Sequence, residues 1–84
     1  MFVVYVLYFH SADRLYIGQT SNLIARFKSH NELGTTGFTT KYRPWMVIHV
    51  EFFEVKSNAL AREKSLKSGK GREFIRKEVL IQYL

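Results

Sequence analysis

Phe2-Val-Val-Tyr-Val-Leu-Tyr-Phe9 opens the chain as an unbroken apolar, β-branched and aromatic run, and His10 to Arg14 interrupts it with polar residues. Such a run fits a central strand covered on both faces. Leu15-Tyr16-Ile17 resumes the pattern as a short second strand, with Gly18 expected to stop it. Two strands joined by so brief a break pair antiparallel, as a hairpin. Side chains alternate faces along a strand, so Tyr5 and Tyr16 share a face only if paired positions sum to an odd number. Phe9 opposite Tyr16, with a loop from Ser11 to Arg14, meets that condition. Tyr8 opposite Tyr16 would point the two tyrosines apart.

Beyond the hairpin, Thr20, Ser21 and Asn22 offer N-cap oxygens for a helix reaching about Glu32. Leu33 to Arg43 reads as a loop rich in Gly and Thr, ended by Pro44. Trp45 to Phe53 is a third strand. Ser57 or Asn58 should cap a second helix running to about Ser68. Gly69-Lys-Gly71 reads as a break, and residues 72–83 as a third, less regular helix. The order strand, strand, helix, strand, helix, helix predicts an α+β fold, a three-stranded, mainly antiparallel sheet flanked by helices, in one domain over 1–84.

Composition narrows the function. A hydrophobic fraction of 46% with 24% charged residues excludes a disordered tail. No cysteine is present, which excludes a disulfide framework and a zinc–thiolate site. The apolar N-terminal run is too short to span a bilayer and has neither a basic leader nor a cleavage site, so no membrane association is expected and the default location is the cytoplasm. Thirteen Lys and Arg against seven Asp and Glu leave a net charge of +6, which favours a polyanionic partner. Lys56, Arg62, Lys64, Lys67, Lys70, Arg72, Arg76 and Lys77 crowd one stretch that can track a phosphate backbone, or form the solvated faces of two helices.

Helical periodicity singles out residues that a purely structural role does not explain. At about 100° per residue, with Leu60 at the origin, Ala59 and Leu66 fall on one side and Glu63 falls about 60° away, inside the apolar arc; Arg62, Lys64 and Ser65 point outward. A carboxylate aimed at a core is costly unless it is paired, hydrogen-bonded or bound to a metal. The competing reading is an i, i+4 pair with Lys67 at the rim. On the first helix, Leu23, Ile24 and Phe27 mark the buried face, and Asn22, Arg26 and His30 form a polar row along its edge. Tyr5 and Tyr16 are equally compatible with ordinary sheet aromatics.

No Ser or Cys nucleophile stands with a fitting base, and Gly34 to Gly37 lacks the lysine and spacing of a phosphate loop. Carboxylates are too few for a two-metal site. One inward glutamate can hold one divalent ion whose shell is completed by water and phosphate oxygens. An arginine can clamp the phosphate, and a tyrosine near the metal can take a proton from water. These residue types suit one-metal phosphodiester hydrolysis without requiring it.

In this light the chain resembles the GIY-YIG nucleases, in particular their small single-domain bacterial type. Val3-Val4-Tyr5 stands at the first motif, with Val3 in place of its glycine, and Tyr16-Ile17-Gly18 matches the second in full. Gln19 to Leu23, Arg26, His30-Asn31, Arg43-Pro44-Trp45 and Ala59 to Lys64 follow in family order. The resemblance implies an endonuclease using Mg²⁺ or Mn²⁺, with Glu63 as metal ligand and Arg26 on the scissile phosphate. It implies that Tyr5 or Tyr16 activates or orients water, and that His30 assists the phosphate or a tyrosine hydroxyl. The expected partner is nucleic acid, DNA ahead of RNA, held by Arg26, Lys64, Lys67, Lys70 and Arg72, with room for a partner protein that supplies specificity. The alternative is a basic nucleic-acid-binding module of the same fold that does not cleave.

Overall fold

The computed structural model describes residues 1–33 and 42–84; the Gly/Thr-rich segment expected to be a loop lies mostly outside the described residues. Strands β1 (Phe2–Phe9), β2 (Arg14–Thr20) and β3 (Met46–Phe53) form one sheet in the order β2-β1-β3, with both pairs antiparallel. The opening run is the central strand, and Val3 to Tyr8 are all buried. That is why it reads as continuous rather than alternating: both of its faces are covered.

Helix α1 (Leu23–Lys28), continued by a π-helical turn (Ser29–Leu33), covers one face of the sheet. The cap expected at its start is Asn22, whose carboxamide oxygen accepts the Ala25 N–H at 3.1 Å. Helices α2 (Lys56–Lys67) and α3 (Gly69–Phe74) cover the other. After α3 the chain continues as a π turn (Ile75–Val79) and a 3₁₀ turn (Leu80–Tyr83), the irregularity expected of this segment. No helix among the described residues is long and apolar enough to cross a membrane.

The hairpin pairs Leu7, not Phe9, with Tyr16, and its loop runs from His10 to Asp13. The paired positions still sum to an odd number, so Tyr5 and Tyr16 share a face. Asp13, at φ 53°, takes the left-handed turn position and accepts the Tyr8 hydroxyl at 2.9 Å, which anchors this register. Gly18 does not stop β2 but sits inside it, opposite Tyr5.

Other boundaries move for local reasons. The N-cap of α2 is Val55, with no side-chain cap, rather than Ser57 or Asn58. The break between α2 and α3 falls at Ser68, not at Gly69 to Gly71, because the extended Ser68 caps α3: its Oγ accepts the Gly71 N–H at 3.2 Å. Gly71 is demanded by packing, since a Cβ there would stand 2.5 Å from the Leu66 Cα.

On α2 the buried residues are Ala59 and Leu66, and Leu60 is exposed. Recentred on that pair, Glu63 still borders the buried stripe, and so does Arg62, on its other side. Arg62 is therefore not outward: it is half-buried and grips Glu51 of β3 through two bonds of 2.8 and 2.9 Å. Ile24, expected on the buried face of α1, is 76% exposed, because only Leu23, Phe27 and His30 turn toward the sheet.

Candidate active site

Gly18 sets where the Tyr5 ring can lie. Tyr5 lies directly across from it, and a Cβ on Gly18 would stand 2.5 Å from the Tyr5 hydroxyl oxygen and 2.6 Å from its Cζ. The phenol therefore lies flat over the β2 backbone, with its hydroxyl toward the free edge of the sheet. No other residue type leaves that space.

Around this hydroxyl the aromatic face is polar. His30, at 6% exposure, brings Nε2 within 2.9 Å of the Tyr5 hydroxyl. The rings of Tyr5, Tyr16 and His30 form a triangle, with centroids 6.3, 5.8 and 4.8 Å apart. Burial pushes the Tyr5 hydroxyl above the ordinary phenol range; hydrogen bonding to Arg26 and that residue's charge pull it back, while Tyr16 and Glu63 add to the rise. Burial, reinforced by the charges of Arg26 and Arg43, holds His30 below the ordinary imidazole range. Both effects favour one proton placement: a neutral Tyr5 donating its O–H to an unprotonated His30 Nε2.

Two residues that the sequence did not single out hold His30 in position. Arg43 donates to the backbone oxygens of His30, at 2.6 Å, and Ser29, at 3.2 Å, satisfying carbonyls near the end of the first helix. The Asn31 carboxamide exchanges two hydrogen bonds with the backbone of Trp45. Trp45, itself buried, packs 6.3 Å from the Tyr16 ring. These partners stand 13 and 14 residues apart, a separation that carries no helical or strand periodicity. The only sign of them in the sequence is their presence within two motifs of the family resemblance.

Arg26 is exposed on α1, and its side chain and charge act on the Tyr5 hydroxyl, lowering it against the effect of burial. Glu63 arrives from the opposite face; its side chain is 21% exposed, and its charge is felt at Tyr5. It is also ion-paired to Lys67 at 3.2 Å, as the competing reading expected. The Tyr16 hydroxyl is half-buried and has no hydrogen-bond partner among the described residues. Tyr16 also lines a cavity of about 510 Å³ with Lys67 and Arg72. Of the other expected nucleic-acid contacts, Lys64 is exposed on α2, and Lys70 faces a separate groove with Glu73, Phe74, Lys77 and Glu78.

Among the described residues no three His, Cys, Asp or Glu side chains cluster into a metal cage. The donor set on offer is the single Glu63 carboxylate, a hard oxygen ligand. That fits a divalent ion which keeps most of its water and takes phosphate oxygens from a substrate, and does not fit a closed structural site.

The family described as the GIY-YIG catalytic domain matches residues 1–77. The chain belongs to the GIY-YIG nuclease family. Its curated relatives are UPF0213 proteins. That of Staphylococcus haemolyticus is 37% identical over 56 residues, covering 67% of this chain and 68% of the relative. That of Bacillus velezensis is 36% identical over 66 residues, covering 75% and 67%. That of Haloquadratum walsbyi is 34% identical over 58 residues, covering 69% and 65%. The matches thus span about two thirds of each relative's length. No solved structure matches the chain significantly.

Proposed function

We propose that this protein is an endonuclease that hydrolyses phosphodiester bonds, with DNA ahead of RNA as substrate. The observation that supports the reading is the cluster of Tyr5, Tyr16 and His30 beside the side-chain-free Gly18 of β2, with the charges of Arg26 and Glu63 felt at the Tyr5 hydroxyl. Arg26 clamps the scissile phosphate and offsets the charge that develops on it. Tyr16, whose hydroxyl has no competing partner among the described residues, orients the attacking water. Burial favours the neutral phenol of Tyr5, and with its hydroxyl 2.9 Å from His30 Nε2 it acts as a hydrogen-bonding group that positions the substrate. Glu63, now paired with Lys67, would hold a divalent ion, Mg²⁺ or Mn²⁺, which would supply Lewis-acid stabilisation of the phosphate when bound.

A non-cleaving binding module draws on one observation, the Lys67 ammonium already seated on Glu63. A nicking assay on plasmid and branched DNA, and on RNA, with Mg²⁺ or Mn²⁺ separates the two. Endonuclease action predicts that Glu63→Ala and Arg26→Ala each lose about 100-fold or more. Cleavage that survives Glu63→Ala removes the metal assignment. Wild type that binds with steep salt dependence yet never nicks is the binding module.

A further inference from the structure

The cavity beside Tyr16 runs along the free edge of β2, from Asp13 to Ile17, and is walled on its far side by Lys67, Arg72 and Arg76. With Arg14 it carries four cations against one carboxylate, Asp13. Two of those cations are already neutralised. Arg76 donates to Asp13 at 2.8 Å and to its backbone oxygen at 3.3 Å, and Lys67 pairs with Glu63. Asp13 is held below the ordinary carboxylate range, first by Arg76 and then by the Tyr8 hydroxyl, so it stays ionised at neutral pH and keeps Arg76 occupied.

Arg14 and Arg72 have no carboxylate partner among the described residues. Neither is loose. The Arg72 Nε–H donates to the Lys67 backbone oxygen at 3.2 Å, which orients the guanidinium and leaves its terminal nitrogens for another acceptor. The Arg14 guanidinium carbon rests over the Tyr42 ring, 5.5 Å from its centre, and the group donates to no hydrogen-bond acceptor among the described residues. Asp13 feels the charge of Arg14 as well, but neither Arg14 nor Arg72 is in an ion pair among the described residues, and two such guanidinium forks on the walls of one concave site match the paired oxygens of a phosphodiester.

We propose that Arg14 and Arg72 form a second phosphate subsite, which holds the backbone of a nucleotide flanking the one that is cut. The assignment rests on the nuclease reading for the word flanking, since Tyr16 lies on both the candidate site and the cavity. It explains why one wall of the cavity is a bare strand edge: a nucleic-acid strand can lie along β2 and present successive phosphates, one to Arg26 and one to the Arg14–Arg72 pair.

The test is binding of fluorescent single-stranded and duplex DNA across a salt series, with chelator present so that no cleavage occurs. The variants are Arg14→Ala/Arg72→Ala, Arg14→Glu alone, and the pair Lys28→Ala/Lys56→Ala, which does not line this cavity, as control. Losing two phosphate contacts should lower the slope of log K against log salt by about 1.4 on single strands and about 1.8 on duplex. Arg14→Glu, a change on an exposed strand position that leaves Arg72 and the α2–α3 junction intact, should lower it as well and keeps the test open if the double variant unfolds. An unchanged slope in Arg14→Glu overturns the subsite, as does an equal drop in the control pair. If the slope falls as expected but wild type never nicks DNA, the subsite stands and the nuclease reading fails. If nicking depends on Glu63 but the slope does not move, the reverse holds.

Discussion

The two faces of this sheet are made from alternate residues of the same strands, yet they are built for opposite ends. The even-numbered side of β1, Val4, Val6 and Tyr8, joins Leu15, Ile17 and Ile48 under two helices, where Leu66 and Ile75 are wholly buried. The odd-numbered side, Tyr5, Leu7 and Phe9, packs, among the described residues, against the short first helix, Tyr42 and Trp45. It leaves Ile24 and Phe52 exposed at 76% and 62%, and it holds His30, the buried polar side chain among the described residues. A small domain has little hydrophobic surplus. Concentrating that surplus on one face allows the other to carry a buried imidazole, a raised phenol and an arginine that would each cost stability in an aliphatic core.

The sharpest way to break the contrast is to cut into each face and measure both stability and activity. Leu66→Ala, on the helix face, should cost about 2–5 kcal/mol in chemical denaturation. Where the fold survives at low temperature, its nicking rate should change little. Gly18→Ala should cost less stability, about 1–3 kcal/mol, because the new methyl group meets a side chain and not backbone. It should nevertheless abolish nicking, since the Tyr5 ring must leave the β2 edge. Gly18→Ala with wild-type activity would mean that the position of Tyr5 over β2 is unimportant.

The two tyrosines refine the comparison within the aromatic face. Tyr5→Phe leaves the His30 Nε2 without its partner and should cost about 1–3 kcal/mol. Tyr16→Phe, with no such bond to lose, should stay within about 0.5 kcal/mol of wild type in stability. If Tyr16 orients the water, the same change should slow cleavage by about 10²–10⁴-fold. A Tyr16→Phe protein that cuts normally would shift that role to Tyr5.

Acidification should reach the two faces at different pH, with the smallest effects of the set. His30 is depressed in the fold by burial, so its contribution is complete above the ordinary imidazole value, near 6.5, and is lost as pH falls through its lower folded value. Glu51, on the helix face, is held below the ordinary carboxylate range first by Arg62 and then by His49, with burial opposing. Its contribution is present above the ordinary carboxylate value and is lost as pH falls through its folded value. Thermal melts should therefore decline in two stages, the upper removed by His30→Gln and the lower reduced by Glu51→Gln. A single decline untouched by His30→Gln would mean that the imidazole is charged in the fold.

Periodicity and local chemistry made much of this molecule legible. The opening run announced a doubly covered central strand, Asn22 announced its helix, and an odd register sum was enough to bring Tyr5 and Tyr16 to one face. What escaped was set by partners distant in sequence. Leu60 and Ala59 are interchangeable on a wheel until the sheet chooses which to bury. Arg62 appeared outward because Glu51 lies on another element. Arg43 and Asn31 hold His30 through backbone groups, which leave no pattern in side-chain type. Gly18 looked like a strand stop because glycine disfavours strands, whereas here a facing phenol needs the space.

Sequence alone therefore determined the layers, the element order and the residue types available for chemistry, because strand and helix periods are local properties of the chain. Tertiary structure alone decided that the charge of Glu63, from the helix face, is felt at Tyr5, on the aromatic face. It also decided that Arg14 and Arg72 are left without carboxylate partners among the described residues beside them. Both outcomes depend on which charges neutralise one another across the fold, and that is a matter of distance in space, to which spacing along the chain is no guide.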